Sequence, residues 1–212
     1  MFTLIFCAGA PNPNLSYLNQ HYDLLVGVDA GAQTLQQHGH IPDWAVGDFD
    51  SAPPPKVSRV LRLPPEKNDT DLEAALLHIL PKYPIDKIEK VIILGALGGG
   101  RLDHLLANFY VAHQPRFRAY LEKFYFVETH NSLRFFGAGQ HVITRELDKK
   151  YLSFIGLTPL RALSLHQVKY PLNQQDYHQA IALISNEFLS DSMNFSLQSG
   201  ILAVIQSADA FT

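Results

Sequence analysis

Asp29, Asp48, Asp50, Asp71 and Asp103 each stand at the end of an apolar run or at the start of a helix-like stretch. In an open parallel sheet, strand ends and the following helix N-termini surround one crevice, and ligands bind there. Carboxylates gathered in such a crevice repel one another unless a cation compensates. Mg²⁺ suits that role, being a hard ion that takes oxygen ligands and bridges carboxylates to phosphates. In Asp48-Phe49-Asp50 an extended backbone predicts both carboxylates on one side and Phe49 on the other. Taken singly, each aspartate fits an ordinary cap or turn better than a functional site. Their shared placement reads as a metal and phosphate site, and no further.

A second element is glycine. Gly98-Gly99-Gly100 precedes Arg101 and a helix-like stretch. A glycine-rich turn feeding a helix N-terminus presents backbone N–H groups and the positive dipole end to an anion. The planar fork of Arg101 suits phosphate oxygens. Lys67 either adds a phosphate contact or stays solvated. The glycine run is not a phosphate loop of the Gly-Lys-Ser/Thr kind, nor a dinucleotide fingerprint. A tight turn before a helix would use the same glycines. The ten histidines form no metal set, and His104, next to Asp103, is assigned no role. A nucleophilic serine elbow is absent from the sequence, and Cys7 lies in an apolar run that predicts a buried thiol.

The elements that must position these groups follow from hydrophobic patterning. Phe2–Cys7 and Leu24–Val28 read as strands, the second ending at Asp29, with a helix following through Leu35. Trp44–Val46 runs into the Asp48-Phe49-Asp50 segment, and Ser51–Pro55 is too proline-rich for anything but a surface loop. Thr70 and Glu73 have capping-box spacing, with Asp71 in the first turn. Leu72, Ala75, Leu76, Ile79 and Leu80 form the apolar face of that helix, which Pro81 ends. Val91–Leu94 is the continuous apolar run of a strand covered on both sides. Leu102, Leu105, Leu106 and Phe109 predict one apolar face on the next helix. The repetition of strand, turn and helix argues for an α/β layer with a mostly parallel sheet.

After about residue 120 short apolar or alternating runs take over: Lys123–Val127, Ser132–Phe136, Gln140–Thr144, Tyr151–Ile155, Arg161–Leu165 and Gly200–Gln206. These predict a C-terminal antiparallel β unit, a sandwich or roll. Gln175–Leu189 has partial helical periodicity and is compatible with a helix. The expected organisation is an α/β domain over residues 1–130 and a β-sandwich domain over 131–212.

Composition narrows the partners. Hydrophobic residues make up 47% and charged residues 17% of 212, and the net charge is −3. A packed core is therefore feasible, and nothing basic enough for nucleic acid stands out. No apolar stretch approaches the ~18 residues of a spanning helix. Met1–Ala10 lacks the basic start of a signal peptide, so a cytoplasmic location is expected.

Several segments together resemble the thiamine pyrophosphokinase (thiamine diphosphokinase) family. They are Asp29-Ala30-Gly31-Ala32, Pro42 through Gly47-Asp48-Phe49-Asp50-Ser51, Lys67-Asn68-Asp69-Thr70-Asp71, and Gly95 through Arg101-Leu102-Asp103-His104. Leu157-Thr158-Pro159, Lys169-Tyr170-Pro171-Leu172, Ser185-Asn186-Glu187-Phe188 and Ser199-Gly200 follow in family order. The resemblance implies an N-terminal α/β domain, a C-terminal β-sandwich domain and a homodimer with active sites at the subunit interface. It implies transfer of pyrophosphate from ATP to the thiamine hydroxyl, with release of AMP. By motif, Asp48, Asp50 and Asp71 would be the Mg²⁺ and catalytic group, with Asp103 beside them. Asp29, Lys67, Gly98, Gly99, Arg101 and Asp103 would line the nucleotide and phosphate site. Ser185 and Asn186 would approach thiamine, and Ser185–Phe188 would be loop and strand. Two positions depart from the family pattern: Ala30 replaces a glycine, and Asn68 replaces an acid.

Overall fold

The computed structural model describes residues 1–50 and 53–209. Ser51 and Ala52, the start of the expected surface loop, lie outside the described residues, as do 210–212. The chain divides into two compact units, Met1–Thr129 and His130–Thr212.

In the first unit the strands are β1 (Phe2–Cys7), β2 (Leu24–Val28), β3 (Trp44–Gly47), β4 (Arg59–Arg62), β5 (Ile88–Leu94) and β6 (Phe124–Val127). They lie in the order β6-β5-β1-β2-β3-β4, all parallel. The chain winds outward from β1 through β2, β3 and β4, then returns to β5 on the other side of β1 and ends on β6. The strand order thus reverses between β1 and β5, and a crevice opens at their C-terminal ends. β2 is buried at every position, and Leu4–Cys7 and Val91–Leu94 are likewise buried, as continuous apolar runs in a covered parallel sheet should be.

Three helices follow strands here: α1 (Ala30–Gln37), α2 (Asp71–Ile79) and α3 (Leu102–Tyr110). The capping box of α2 is complete: Glu73 N–H donates to Thr70 Oγ1 at 3.2 Å, and Thr70 N–H to Glu73 Oε2 at 2.7 Å. The helix stops at Ile79, and Pro81 falls in a single 3₁₀ turn, Leu80–Lys82. α1 approaches the sheet at backbone distance. A Cβ on Gly27 would lie 2.4 Å from Ala32 Cα, and one on Gly31 would lie 2.0 Å from the Cys7 carbonyl oxygen.

Three features depart from the patterning. By its pattern Lys123–Val127 belongs with the antiparallel runs, yet Phe124–Val127 pairs in parallel with β5. A long 3₁₀ stretch, Pro115–Lys123, carries the chain back to start the strand in that direction. β4 was not foreseen because it is a short, charged edge strand whose Arg59 and Arg62 are both exposed. The apolar face expected on α3 is not buried within the chain: Leu102 is 66% exposed and Leu106 44%.

The second unit comprises β7 (Asn131–Phe136), β8 (Gly139–Thr144), β9 (Tyr151–Gly156), β10 (Leu160–His166), β11 (Leu172–Tyr177), β12 (Ile181–Asn186), β13 (Ser192–Leu197) and β14 (Leu202–Ser207). β12-β9-β14-β7 and β11-β10-β13-β8 are antiparallel runs that share one core around Phe136, Phe154, Leu163, Leu165, Met193 and Phe195. Gln175–Leu189, compatible with a helix by pattern, instead supplies the end of β11 and all of β12. Register shifts interrupt both strands, with Gln174 and Ser185 at positive φ. Such irregularities break the period of two that marks a strand.

Candidate active site

The crevice at the reversal of strand order is a cleft of about 220 Å³. Ala8-Gly9-Ala10 after β1, Asp29 and Ala30 after β2, and Gly95, Ala96, Gly98, Gly99 and Arg101 after β5 supply its walls, with Thr70 and Asp71 from the start of α2. The sheet topology thus brings together segments that are far apart in sequence. Gly95 adopts φ +65°, where a Cβ would approach the Ala8 carbonyl oxygen to 2.6 Å, so glycine is required for the turn to pass under β1. Ala30, which departs from the family's glycine, has its methyl group over Gly9, where a Cβ would come within 3.3 Å.

Carboxylate oxygens of Asp29, Asp48 and Asp50 all lie within 4.8 Å of one another. The local conformation is not the extended one expected. Phe49 sits at φ +54°, and Asp50 N–H donates to Asp48 Oδ1 at 3.3 Å, closing a tight turn. Phe49 is buried in a small cluster with Ala32 and Ala45, which anchors the turn and leaves the two carboxylates together. Asp71 joins through a cation: Lys67 Nζ lies 3.2 Å from both Asp48 Oδ2 and Asp71 Oδ1. Asp71 Oδ1 is buried, and Lys67 Nζ is its ion-pair partner. The expected trio Asp48, Asp50 and Asp71 is therefore arranged differently: Asp29 completes the close group, and Asp71 stands across Lys67.

Electrostatics follow from this packing. Burial raises the Asp29 carboxyl above the ordinary range; the Ala30 N–H opposes the shift, while Asp71, Asp48 and Asp50 add to it. The hydrogen bond from Lys67 holds Asp48 below that range. Burial disfavours the Lys67 charge, but Asp48 and Asp71 outweigh it and raise the ammonium. All-oxygen donors and the mutual repulsion of Asp29, Asp48 and Asp50 fit a hard divalent cation.

A carboxyl raised in the folded state favours folding when protonated, and that contribution disappears as pH rises through the folded value. At neutral pH without metal, charged Asp29 therefore opposes folding. Asp29→Asn, whose side chain tolerates the local φ of +48°, should raise Tm by about 2 °C after solvent screening is allowed for. The gain should vanish near pH 4, and differential scanning fluorimetry at both pH values checks it.

Arg101 stands at the N-cap position of α3 and grips Asp103 through two bonds, Nη2 to Oδ2 at 2.6 Å and Nε to Oδ1 at 3.2 Å. That grip holds the Asp103 carboxyl down at about 2. Arg101, Gly98 and Gly99 line the cleft, whereas Asp103 is not among its lining residues. His104 and Asn108, to which the sequence assigned no function, do line it. They lie on α3 one and two turns beyond Arg101, a spacing visible once the helix is known.

Comparison with known proteins bears on what this cleft does. Residues 15–121 match the family model for the thiamin pyrophosphokinase catalytic domain, and residues 140–202 the model for the thiamin pyrophosphokinase vitamin B1 binding domain. The chain belongs to the thiamin pyrophosphokinase family. The thiamine pyrophosphokinase of Bacillus subtilis (strain 168) is 33% identical, over 99% of this chain and 100% of the relative. A crystal structure of a thiamin pyrophosphokinase family protein from Enterococcus faecalis is similar with TM-score 0.88 and 34% identity, covering 99% of this chain and all of that one. The crystal structure of the Bacillus subtilis enzyme is similar with TM-score 0.84 and 32% identity, covering 98% and 99%. The α/β unit and the antiparallel β-sandwich unit are the family's architecture.

The two residues expected near thiamine lie in the second unit. Asn186 is buried, and its side chain is committed to backbone: Oδ1 accepts from Tyr170 N–H and Glu187 N–H at 2.9 Å each, and Nδ2 donates to the Tyr170 carbonyl at 3.0 Å. Asn186 thereby fixes Tyr170, whose exposed ring lines an apolar hollow of about 170 Å³ with Leu165, Leu172, Leu183 and Ile184. Ser185, at φ +59°, donates its N–H to Ser153 Oγ at 3.2 Å.

Proposed function

We propose that this chain transfers the pyrophosphoryl group of ATP to the hydroxyl of thiamine, giving thiamine diphosphate and AMP, in a Mg²⁺-dependent reaction. The observation that carries the reading is the meeting of Asp29, Asp48 and Asp50 within 4.8 Å, a group that reaches through Asp29 a cleft lined also by Gly98, Gly99 and Arg101. One side of the cleft is built for cations and the other for anions, which is what a metal-bound polyphosphate needs.

In this reading Asp29, Asp48 and Asp50, together with Asp71, would hold Mg²⁺. An ion held there would supply charge neutralisation at the phosphates and offset charge developing on the leaving AMP. Lys67, freed from Asp48 and Asp71, turns its ammonium to a phosphate oxygen. Arg101 exchanges Asp103 for oxygens of the transferred group, which suit its planar fork. Asp71, which lines the cleft at the start of α2, is the better placed acceptor for the hydroxyl proton. Asp103, exposed and outside the lining of the cleft, is less well placed for that step. Residues 1–130 form the ATP and metal domain, and residues 131–212 the thiamine-binding domain, with Ser185 and Asn186 shaping the thiamine side.

The protein acts as a cytoplasmic homodimer with active sites at the subunit interface. The exposed Leu102, Leu106 and Tyr110 of α3, adjoining the cleft, support a covering second copy. Among the described residues no helix is long and apolar enough to cross a membrane.

Incubation with ATP, Mg²⁺ and thiamine, with AMP and thiamine diphosphate quantified together, tests the proposal. Equal formation of both, lost with EDTA, is expected. AMP formed only with a pterin alcohol, inorganic phosphate released without an acceptor, or nucleotide binding without turnover would each overturn it.

A further inference from the structure

The glycine-rich turn does not hold its own shape. Gly95, Gly99 and Gly100 all sit at positive φ, conformations that glycine leaves and enters at little cost. A loop that must present N–H groups to phosphate in one geometry needs an outside support. On one side, Ala10 N–H donates to the Gly95 carbonyl at 2.9 Å. On the other, the side chain of Glu128 reaches under the turn, and its Oε1 accepts from Ala96 N–H at 2.8 Å and Leu97 N–H at 3.1 Å. Asn108 Nδ2 donates to the Ala96 carbonyl at 2.7 Å, so the Ala96 peptide is held at both ends.

The position of Glu128 follows from the sheet. Val127 at the end of β6 pairs with Leu94 at the end of β5, so the next residue on each strand, Glu128 and Gly95, emerge side by side. Glu128 is partly buried and is not among the residues that line the cleft. Its charge is not matched by any cation in the ion pairs of the described residues. Burial of a carboxylate for two bonds to neutral amides is costly unless it secures geometry elsewhere.

We propose that Glu128 is a positioning residue for the nucleotide: it fixes the Ala96–Leu97 peptides so that the Gly98–Gly100 amides and Arg101 face the phosphates of ATP. The inference rests on the pyrophosphokinase reading for the identity of the anion. It also removes Ala96 and Leu97 from the set of amides available to phosphate, since both already donate to Glu128.

The test compares wild type with Glu128→Ala, Glu128→Gln and Glu128→Asp, reading the Kd of a non-hydrolysable ATP analogue with Mg²⁺ and the KM values for ATP and thiamine. Glu128→Ala should raise the analogue Kd and the ATP KM roughly tenfold or more, leaving the thiamine KM within about twofold. Glu128→Gln should restore most of the affinity, because its carbonyl oxygen can accept both N–H groups. Glu128→Asp keeps the charge but withdraws the acceptor, and should lose affinity as Ala does. If Glu128→Ala fails to fold, the Gln and Asp pair carries the test. Wild-type affinity in the Asp variant, equal loss in both KM values, or a Gln variant as weak as Asp would overturn the inference. Absence of thiamine diphosphate from wild type would sink the reaction reading instead, while the analogue affinities still decide the role of Glu128.

Discussion

Asp71→Asn should reduce turnover at least about a hundredfold while leaving the protein folded. Loss of groups that merely orient a metal ligand costs roughly 10–100-fold, so removing a ligand carboxylate lies at or beyond that range. The substitution keeps the volume and removes one charge. Structurally it gives up one of the two ion-pair partners of Lys67 and the favourable first-turn carboxylate of α2. The second effect is about 0.3–1 kcal/mol, and the capping box of Thr70 and Glu73 is untouched. A Tm within a few degrees of wild type is therefore expected beside the collapse of kcat. Near-normal AMP formation by a folded Asp71→Asn protein would remove Asp71 from the catalytic group and return the base assignment to Asp103.

Gly31→Ala should act through packing. The new methyl group would stand 2.0 Å from the Cys7 carbonyl oxygen and 2.6 Å from that of Ala8, and both are backbone atoms that no rotamer change can move. α1 must lift from β1, at about 3 kcal/mol, the upper range for overpacking. In a chain of this size that is roughly 6–12 °C in Tm. The displacement would carry Asp29, which precedes α1, away from Asp48 and Asp50, so metal affinity should fall as well. Gly39→Ala is the comparison: it also imposes strain, at φ +82°, but a Cβ there meets nothing within 4 Å. It should cost about 1–2 kcal/mol and leave metal binding unchanged. Thermal melts with and without Mg²⁺ separate the two; equal losses for both variants would argue against the close-packing account.

Much of this molecule was legible before any coordinates. α2 could be placed from Thr70, Glu73 and its apolar spacing because capping is a local interaction between residues three apart. The buried runs of β1, β2 and β5 announce themselves because a strand covered on both faces has no polar side to show. The motifs around Asp29, Asp48, Lys67 and Arg101 were enough to indicate the family, since each is a short segment whose spacing survives in the linear chain.

What lay beyond reach is non-local. β4 is an exposed, charged edge with no pattern of its own, and the direction of β6 depends on where the chain re-enters the sheet. Residues 175–189 lost their strand signature to register shifts that exist only against neighbouring strands. The aspartates were legible individually, but their grouping was not: Asp29 enters the close set because β2 and β3 are adjacent in register, while Lys67 separates Asp71 from it. Glu128 is the clearest instance. As one acid after a strand it has no motif, and its partners are backbone N–H groups more than thirty residues away. Patterning along a chain reports interactions a few residues apart, whereas a site assembled at the ends of parallel strands is made by contacts that only the finished sheet creates.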